Sequence, residues 1–400
     1  MPIAVLATGH LVVQPARGAV LLTLSRMDAV EVDPAAQMAR VEGGARWGRV
    51  LQEAGEFGLA GISGSTSTVG VVGYHLGGGQ SPILGRRYGY AADHVRSFRL
   101  VTADGSLREV SETSEPDLFW ALRGGMGNFG VVTSMEFSLF PVETFYGGGI
   151  FFAGAHAEKV LHAWREWVTL LPAAMTSSVA FLRHPPLPSL PEPLRGNFVV
   201  HVRFSSVGSA ADAEAALAPL RALAPTVLDT IDENPYSEAA RVHLDPPAPL
   251  PWVERSTALH AFPAEAADAL LAALGPDSGT ALGFAEVRAL GGALAAEPAV
   301  PNAVSGRSAQ WSVAGSGAGS PDRVPEFHAQ LASLVESLAP WSQDELNTNP
   351  LTAAQGITPA EVRAVYGSDR YDRLAEIKRK YDPQNLFRMN HNIPPASVTR

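Results

Sequence analysis

Residues 65–79 of this 400-residue chain read STSTVGVVGYHLGGG, and this glycine-rich stretch says most about the fold. Nine of the 38 glycines lie within Gly61–Tyr90 and four more within Ala121–Gly130, in sequence that is otherwise apolar. Glycine at this density marks backbone that turns sharply or lies against a flat partner. One cluster is equally typical of ordinary turns, whereas two clusters so close together favour a bound ligand.

Charge and composition exclude several classes of protein. The chain has 30 Lys and Arg against 40 Asp and Glu, which argues against nucleic acid or an anionic membrane as a partner. The absence of cysteine excludes disulfides, thiolate nucleophiles, cysteine-ligated metals and thioether cofactor attachment. None of the 11 histidines stands in a His-Glu-x-x-His pattern, so we expect no metal centre.

The sequence also predicts where the protein is found. Its start, MPIAVLA, has no basic leader of the kind that opens a signal peptide, and no run of 18 apolar residues occurs. We therefore expect a soluble, cytoplasmic protein.

Secondary-structure signals change in character at about Phe145. Before it we predict short strands and few helices, among them a helix over 45–55 and a helix opened by a capping box at 114–117. After it come longer strands and helices separated by proline-rich loops, one of them with Pro246, Pro247, Pro249 and Pro251. Without a strict alternation of strand and helix, this region predicts an antiparallel α+β domain.

Five segments then follow one another along the chain: residues 7–10 (ATGH), 65–79, 87–93 (RYGYAAD), 118–133 (LFWALRGGMGNFGVVT) and 371–395. In this order they resemble the FAD-linked oxidases of the berberine-bridge-enzyme type, in the vanillyl-alcohol-oxidase superfamily. The resemblance implies an α+β fold in which a PCMH-type FAD-binding domain (1–145) is followed by an inserted antiparallel-sheet substrate domain (146–345). A C-terminal berberine-bridge-type segment (346–400) would return to the FAD domain. Members of the family carry a further strand and helix before the position of the ATGH segment.

The resemblance also implies how FAD is held. His10 matches the histidine that bonds to the 8α carbon of FAD, although a histidine at a strand end can also be structural. Members with a second flavin bond have cysteine where this chain has Thr66, so we expect a single covalent link through His10. The remaining positions carried over as cofactor contacts are Thr66, Ser67, Thr68, Val69, Gly70, Gly73, Tyr74, Gly77, Asn128, Gly130, Val132, Asn390 and Asn392. Val69 matches an oxygen gatekeeper, and both Val69 and Val132 could instead be core residues.

The catalytic base is not carried over by the resemblance. Gln80 stands where some members have a catalytic tyrosine, and residues 345–348 (ELNT) stand where many have Tyr-x-Asn-Tyr. From the sequence itself the catalytic candidates are Tyr74, His75, Glu286 and Arg288. Glu286 and Arg288 share one face of a strand by their spacing of two, and a structural ion pair is the alternative role for them.

We therefore expect a FAD-dependent oxidase. It would pass a hydride from a small organic substrate, such as an alcohol or a ring carbon of a specialised metabolite, to FAD and then the electrons to O2. A FAD-dependent dehydrogenase with another acceptor is one alternative. A non-catalytic protein that binds flavin or a small molecule is the other, because the two expected tyrosines are absent.

Overall fold

The computed structural model of the protein describes residues 1–245 and 250–397. We refer to residues 1–143 as the N-terminal domain, 144–343 as the sheet domain and 344–397 as the C-terminal segment. The boundaries after residues 145 and 345 that the resemblance implies stay predictions. Three of the four prolines of the predicted stiff loop, Pro246, Pro247 and Pro249, and residues 398–400 of the predicted C-terminal segment lie outside the described residues.

The N-terminal domain contains three small sheets with short helices around them. Its strands are β1 (Ile3–Leu6), β2 (Val20–Thr23), β3 (Val30–Asp33), β4 (Met38–Glu42), β5 (Leu59–Ala60), β6 (Val95–Val101), β7 (Leu107–Ser111), β8 (Val131–Ser138) and β9 (Phe140–Pro141). Its helices are α1 (Trp47–Gly55), α2 (Val71–Leu76), α3 (Gly85–Tyr88) and α4 (Pro116–Leu122). Strands β1 and β2 pair in parallel, β5 pairs with β9, and the largest sheet has the antiparallel order β3-β4-β8-β6-β7.

Local sequence explains most of these elements. Helix α1 buries Trp47, Val50, Leu51 and Ala54, whose spacing places them on one helical face. The capping box predicted at 114–117 is absent, although helix α4 begins there. Glu115 precedes the helix in the left-handed region (φ 54°), and no side chain caps the helix. The Glu115 carboxylate instead accepts hydrogen bonds from Arg108 and Tyr381.

A nine-stranded sheet dominates the sheet domain. Its strands are β10 (Thr144–Ala153), β11 (Met175–Arg183), β12 (Phe198–Ser206), β13 (Thr226–Asp229), β14 (Asp232–Pro235), β15 (Trp252–Leu259), β16 (Phe284–Ala289), β17 (Trp311–Ala318) and β18 (Ser342–Gln343). Helices α5 (Ala157–Trp167), α6 (Ala210–Arg221), α7 (Ala264–Leu274) and α8 (Val324–Ser337) accompany it. The order is β13-β10-β12-β11-β16-β17-β15-β18, with β14 beside β10. Every pairing is antiparallel, which confirms the predicted α+β class.

The two faces of this sheet differ in chemistry. On β12 and β16 alternate residues such as Val202 and Val287 enter an apolar core with residues of helices α5, α7 and α8. The residues between them, Arg203, Glu286 and Arg288, point to the opposite face because side chains alternate along a strand. This polar face is directed towards the N-terminal domain.

The C-terminal segment packs on the N-terminal domain through helices α9 (Pro359–Tyr366) and α10 (Ser368–Tyr381). Leu374, Ile377 and Tyr381 belong to the same hydrophobic core as Trp47 and Phe137 of the N-terminal domain. In the part of the chain that the structure describes, no helix is both long and apolar enough to cross a membrane.

Candidate functional site

A small cavity lies where the polar face of the large sheet meets the end of the glycine-rich stretch. Gln80, Ser81 and Pro82 of the N-terminal domain form one wall. The opposite wall carries Ser178, Arg203, His243 and Arg288, among other residues of the sheet domain. A second small cavity also touches Gln80 and is lined further along by Tyr90, Ser256 and Asn347.

Glu286 is the centre of a buried ionic network at this cavity. One carboxylate oxygen accepts hydrogen bonds from Arg203 Nη1 (2.7 Å) and Ser178 Oγ (2.6 Å), and the other accepts one from Arg288 Nε (2.8 Å). Burial alone would raise the pKa of Glu286, but the guanidinium groups of Arg288 and Arg203 hold it well below its usual range. Glu286 is therefore a weak base, and it acts by fixing the two arginines.

Arg288 is bound to the network at one side only. Its Nε donates to Glu286, whereas neither terminal nitrogen donates to any acceptor among the described residues. The side chain is 29% exposed and lines the cavity, so its planar fork is available to an oxygen of a ligand. The predicted sharing of one strand face by Glu286 and Arg288 is observed, and it results in the ion pair.

Tyr74 is the other predicted catalytic residue near this network. Its hydroxyl is buried and has no hydrogen-bond partner within the described chain. Burial raises the pKa of Tyr74 well above 10, Tyr236 adds to this effect, and Arg288 opposes it. The phenol therefore stays protonated and offers a hydrogen bond to whatever enters beside it.

His75 lies elsewhere. Its ring is 1% exposed, stacks on Trp47 (5.5 Å between centroids) and lies tilted against Phe137 (4.6 Å) in the core of the N-terminal domain. Its Nδ1 hydrogen-bonds to the Val71 carbonyl (2.8 Å), and burial lowers its pKa to about 4. These contacts point to a neutral packing residue and not to the proton acceptor considered from sequence.

The structure brings the ATGH segment and the glycine-rich stretch together. Gly70 lies so close to the N-terminal loop that a Cβ there would be 3.2 Å from Thr8 Cγ2, which places both segments in one surface. His10 is exposed beside them, and its pKa is lowered by partial burial and raised by the nearby Asp245. Asp245 itself accepts hydrogen bonds from Ser65 Oγ (2.6 Å) and Thr66 Oγ1 (3.1 Å).

Backbone donors in this surface fit the phosphates of FAD. The N–H groups of residues 65–68 donate to no acceptor within the described chain, whereas the Ser67 and Val69 carbonyls accept from Gly48 and Trp47. Backbone N–H groups without a partner in the chain are available as donors to an anion. Thr68 is exposed, Val69 is half-buried against the core, and a Cβ at Gly73 would meet no atom within 4 Å. The expected cofactor surface is thus open.

Gly77 makes different contacts from those expected. Its carbonyl accepts hydrogen bonds from Thr348 Oγ1 (2.9 Å) and Asn347 Nδ2 (3.3 Å), and a Cβ there would be 2.7 Å from Asn349 Nδ2. Asn349 also accepts from Gly79 N (2.5 Å) and donates to Tyr74 O (3.1 Å). The absence of side chains at Gly77–Gly79 therefore leaves room for residues Asn347–Asn349 to pack against this backbone. These residues come shortly after the sheet domain in the chain.

The Asn128 side chain is hydrogen-bonded to the C-terminal segment. Its Nδ2 donates to Gly125 O (3.0 Å) and His391 O (3.2 Å), and its Oδ1 accepts from Ile393 N (3.0 Å). This fully buried amide therefore has no donor hydrogen left for a cofactor. In contrast, Oδ1 of Asn390 and Oδ1 of Asn392 are buried without a partner among the described residues, as expected of groups that await a ligand.

The other two residues of the predicted adenosine-side segment are confined by packing. A Cβ at Gly130 would be 2.6 Å from the Val101 carbonyl, so only glycine allows this approach of β8 to β6. Val132 is 3% exposed within the core of the N-terminal domain, which matches the core alternative for this residue.

Sequence reasoning missed Arg203, His243 and Asp245. Arg203 follows the same alternation along its strand that revealed Glu286, so the period-two pattern would have indicated it. His243 and Asp245 follow a short 3-10 helix (Tyr236–Val242), and no periodic signal marks them. Only the folding of residues 236–245 against the N-terminal domain brings them to the site.

Comparison with known proteins gives consistent results along the whole chain. A family model described as FAD binding domain matches residues 1–111, and one described as Berberine and berberine like matches residues 358–394. The chain is 30% identical to (R)-6-hydroxynicotine oxidase of Paenarthrobacter nicotinovorans over 94% of this chain and 82% of that protein. It is 28% identical to xylooligosaccharide oxidase of Thermothelomyces thermophilus over 98% and 79% of the two chains. The crystal structure of 6-hydroxy-D-nicotine oxidase from Arthrobacter nicotinovorans superposes with a TM-score of 0.83 at 26% identity, covering 99% of this chain and 87% of that one.

Proposed function

Because the chain belongs to the FAD-linked oxidases of the berberine-bridge-enzyme type, we propose that its active site is the cavity between Gln80 and Arg288. The protein is a FAD-dependent oxidoreductase of α+β fold, as the sequence predicted. The observation that supports this location is the fork of Arg288, which lines the cavity and donates to no acceptor among the described residues. The Tyr74 hydroxyl, whose pKa Arg288 influences, also has no partner there and is free to bond a ligand.

The cofactor would lie on the surface formed by the ATGH segment and residues 65–70. His10 would hold it by a single covalent bond, the free backbone N–H groups would bind its phosphates, and Asn390 and Asn392 would supply polar contacts. Bound FAD would supply the redox chemistry, namely taking a hydride from the substrate and passing the electrons on to an acceptor. We propose O2 as that acceptor, since Val69 at the matching gatekeeper position is a small aliphatic residue.

The chain's own groups would orient and polarise the substrate. Glu286 holds Arg288 by its Nε, and the free guanidinium nitrogens then stabilise the negative charge that develops on a substrate oxygen. The Tyr74 phenol donates a hydrogen bond to the same region. The substrate would be a small organic molecule with an oxidisable alcohol or ring carbon. The two relatives are named for a hydroxylated nicotine and a xylooligosaccharide, both of which carry oxygen substituents.

Hydrogen peroxide production tests the proposal. The holoenzyme would be incubated in air with a panel of alcohols, oligosaccharides and hydroxylated N-heterocycles, and peroxide would be measured. With the best substrate, Arg288→Met should lower kcat/KM about a hundredfold. Arg323→Met, which removes an exposed ion pair with Glu326, serves as the matched control and should leave kcat/KM unchanged.

Reoxidation separates the acceptors. The reduced holoenzyme would be mixed with air-saturated buffer in a stopped-flow instrument. Rapid return of the oxidised flavin spectrum supports an oxidase, and a very slow return favours the dehydrogenase alternative. A wild-type protein that binds no flavin even with ample riboflavin would overturn the whole proposal, and an unchanged kcat/KM for Arg288→Met would overturn the assignment of the cavity.

A further inference from the structure

Asp245 is a charged residue without a role in the proposed substrate oxidation. It lies near His10, the proposed flavin attachment site. It comes from the sheet domain, and its Oδ2 is held by two hydroxyls of the N-terminal domain, Ser65 Oγ at 2.6 Å and Thr66 Oγ1 at 3.1 Å. Thr66 occupies the position where bicovalent relatives have the second flavin-bonding residue. The carboxylate is thus fixed on Ser65 and Thr66, where the resemblance would put the flavin ring.

The loop that carries Asp245 is anchored to the active-site network. Val242 and His243 are buried, and the His243 carbonyl accepts a hydrogen bond from Arg203 Nη2 (3.3 Å). Arg203 in turn is bound to Glu286 by its other terminal nitrogen. Asp245 therefore lies two residues after His243, which is attached to Arg203. Its own carboxylate is hydrogen-bonded to Ser65 and Thr66 of the glycine-rich loop. This double attachment defines the position of its charge.

The same charge acts on His10. Partial burial lowers the pKa of the His10 imidazole, which keeps the ring neutral and its free nitrogen nucleophilic, while Asp245 favours positive charge on that ring. A neutral imidazole that forms a bond to carbon becomes a cation until it loses its remaining proton. A carboxylate near the ring would stabilise that cation.

From this juxtaposition, and resting on the proposed bond between His10 and FAD, we infer that Asp245 is a positioning residue for flavin attachment. It stabilises the positive charge on His10 while a ring nitrogen bonds to the 8α carbon of FAD. In this step one C–H bond at the 8α carbon breaks, and its electron pair passes into the flavin ring. The proton from that C–H bond and the proton displaced from the His10 ring are the two protons that the flavin takes up when it is reduced. Dioxygen then reoxidises the flavin and becomes hydrogen peroxide.

The acid-stable fraction of flavin measures this step apart from substrate oxidation. Wild-type protein, Asp245→Asn and Asp245→Glu would be produced without flavin, mixed with FAD in air, and sampled over time. Each sample would be precipitated with acid, and intact mass would report the fraction that has gained one FAD. We expect attachment to be roughly tenfold slower or more in Asp245→Asn, with partial recovery in Asp245→Glu. Non-covalent FAD binding, read from the absorbance spectrum before precipitation, should persist.

Two further variants keep the inference falsifiable. Asp268→Asn, at an exposed carboxylate of helix α7, is the matched control and should attach FAD at the wild-type rate. If Asp245→Asn fails to fold, Ser65→Ala with Thr66→Val removes the two hydroxyls that hold the carboxylate and should also slow attachment. Equal rates in the wild type and whichever of these variants folds would overturn the inference. Wild-type protein that binds FAD but never gains its mass would instead refute the His10 bond of the proposed function.

Discussion

Two buried polar regions of this protein differ in how completely their hydrogen bonds are made. At the contact between helix α10 and the N-terminal domain, the Lys378 ammonium donates to Asn128 O, Asp382 Oδ2 and Phe387 O. Asp382 also accepts from the N–H groups of Leu386 and Phe387. Both charged side chains are fully buried, and all their bonding capacity is directed to the chain itself.

The cavity wall has the opposite character. Glu286 is saturated and lies 3.4 Å from His243 Nε2, but the Tyr74 hydroxyl and Nδ1 of His243 have no partner among the described residues. An unpaired buried polar group costs free energy, so it persists where a ligand completes it. In the first region the polar groups join two parts of the chain to each other, whereas in the second the Tyr74 hydroxyl and the Arg288 fork are left free to bond a ligand.

The largest expected effect is on the saturated region. Lys378→Met would leave the Asp382 carboxylate buried without its cation, and we expect the free energy of unfolding to fall by about 3–5 kcal/mol. Lys380→Met, on the same helix but with an exposed ammonium, should cost about 0–1 kcal/mol. Urea denaturation of both variants measures the difference. Similar losses in the two variants would show that the buried pair does not hold the C-terminal segment.

His75 offers a pH-dependent test of the satisfied core. Its pKa is about 4 in the folded protein and 6.5 when unfolded, so the unfolded state binds the extra proton as the pH falls between these values. This histidine should therefore cost about 2 kcal/mol of stability at pH 5 relative to pH 7. His75→Phe should show a correspondingly shallower loss in urea denaturation at the two pH values. An unchanged pH dependence would mean that the ring is accessible to protons in the folded state.

The smallest effect compares two buried tyrosines directly. Tyr366 donates its hydroxyl to Gly124 O (2.9 Å), so Tyr366→Phe should cost about 1 kcal/mol of unfolding free energy. Tyr74→Phe removes a buried hydroxyl without a partner, so it should leave the free energy of unfolding equal or higher while it lowers kcat/KM. A stability loss in Tyr74→Phe equal to that in Tyr366→Phe would remove the distinction between the two regions.

Some features of the site could be read from sequence because they are local or periodic. The alternation along β16 placed Glu286 and Arg288 on one face, and the apolar spacing of α1 indicated its buried side. The capping box at 114–117 was a wrong prediction, since Glu115 instead binds Arg108 and the distant Tyr381. A local pattern cannot report a competing partner that lies 266 residues away along the chain.

The sequence by itself determined the family, the FAD cofactor and the α+β class. Glycine clusters and strand alternation are local patterns, and the order of the motifs can be read along the chain without knowing the fold. Only the tertiary structure decided which polar groups are paired. In the folded chain the Asn128 side chain is hydrogen-bonded to His391 and Ile393, and Asn347–Asn349 pack against the triple glycine. Asp245 is hydrogen-bonded to Ser65 and Thr66 of the glycine-rich stretch. The physical reason is that hydrogen bonds and charge interactions depend on distances of a few ångströms between residues far apart in sequence.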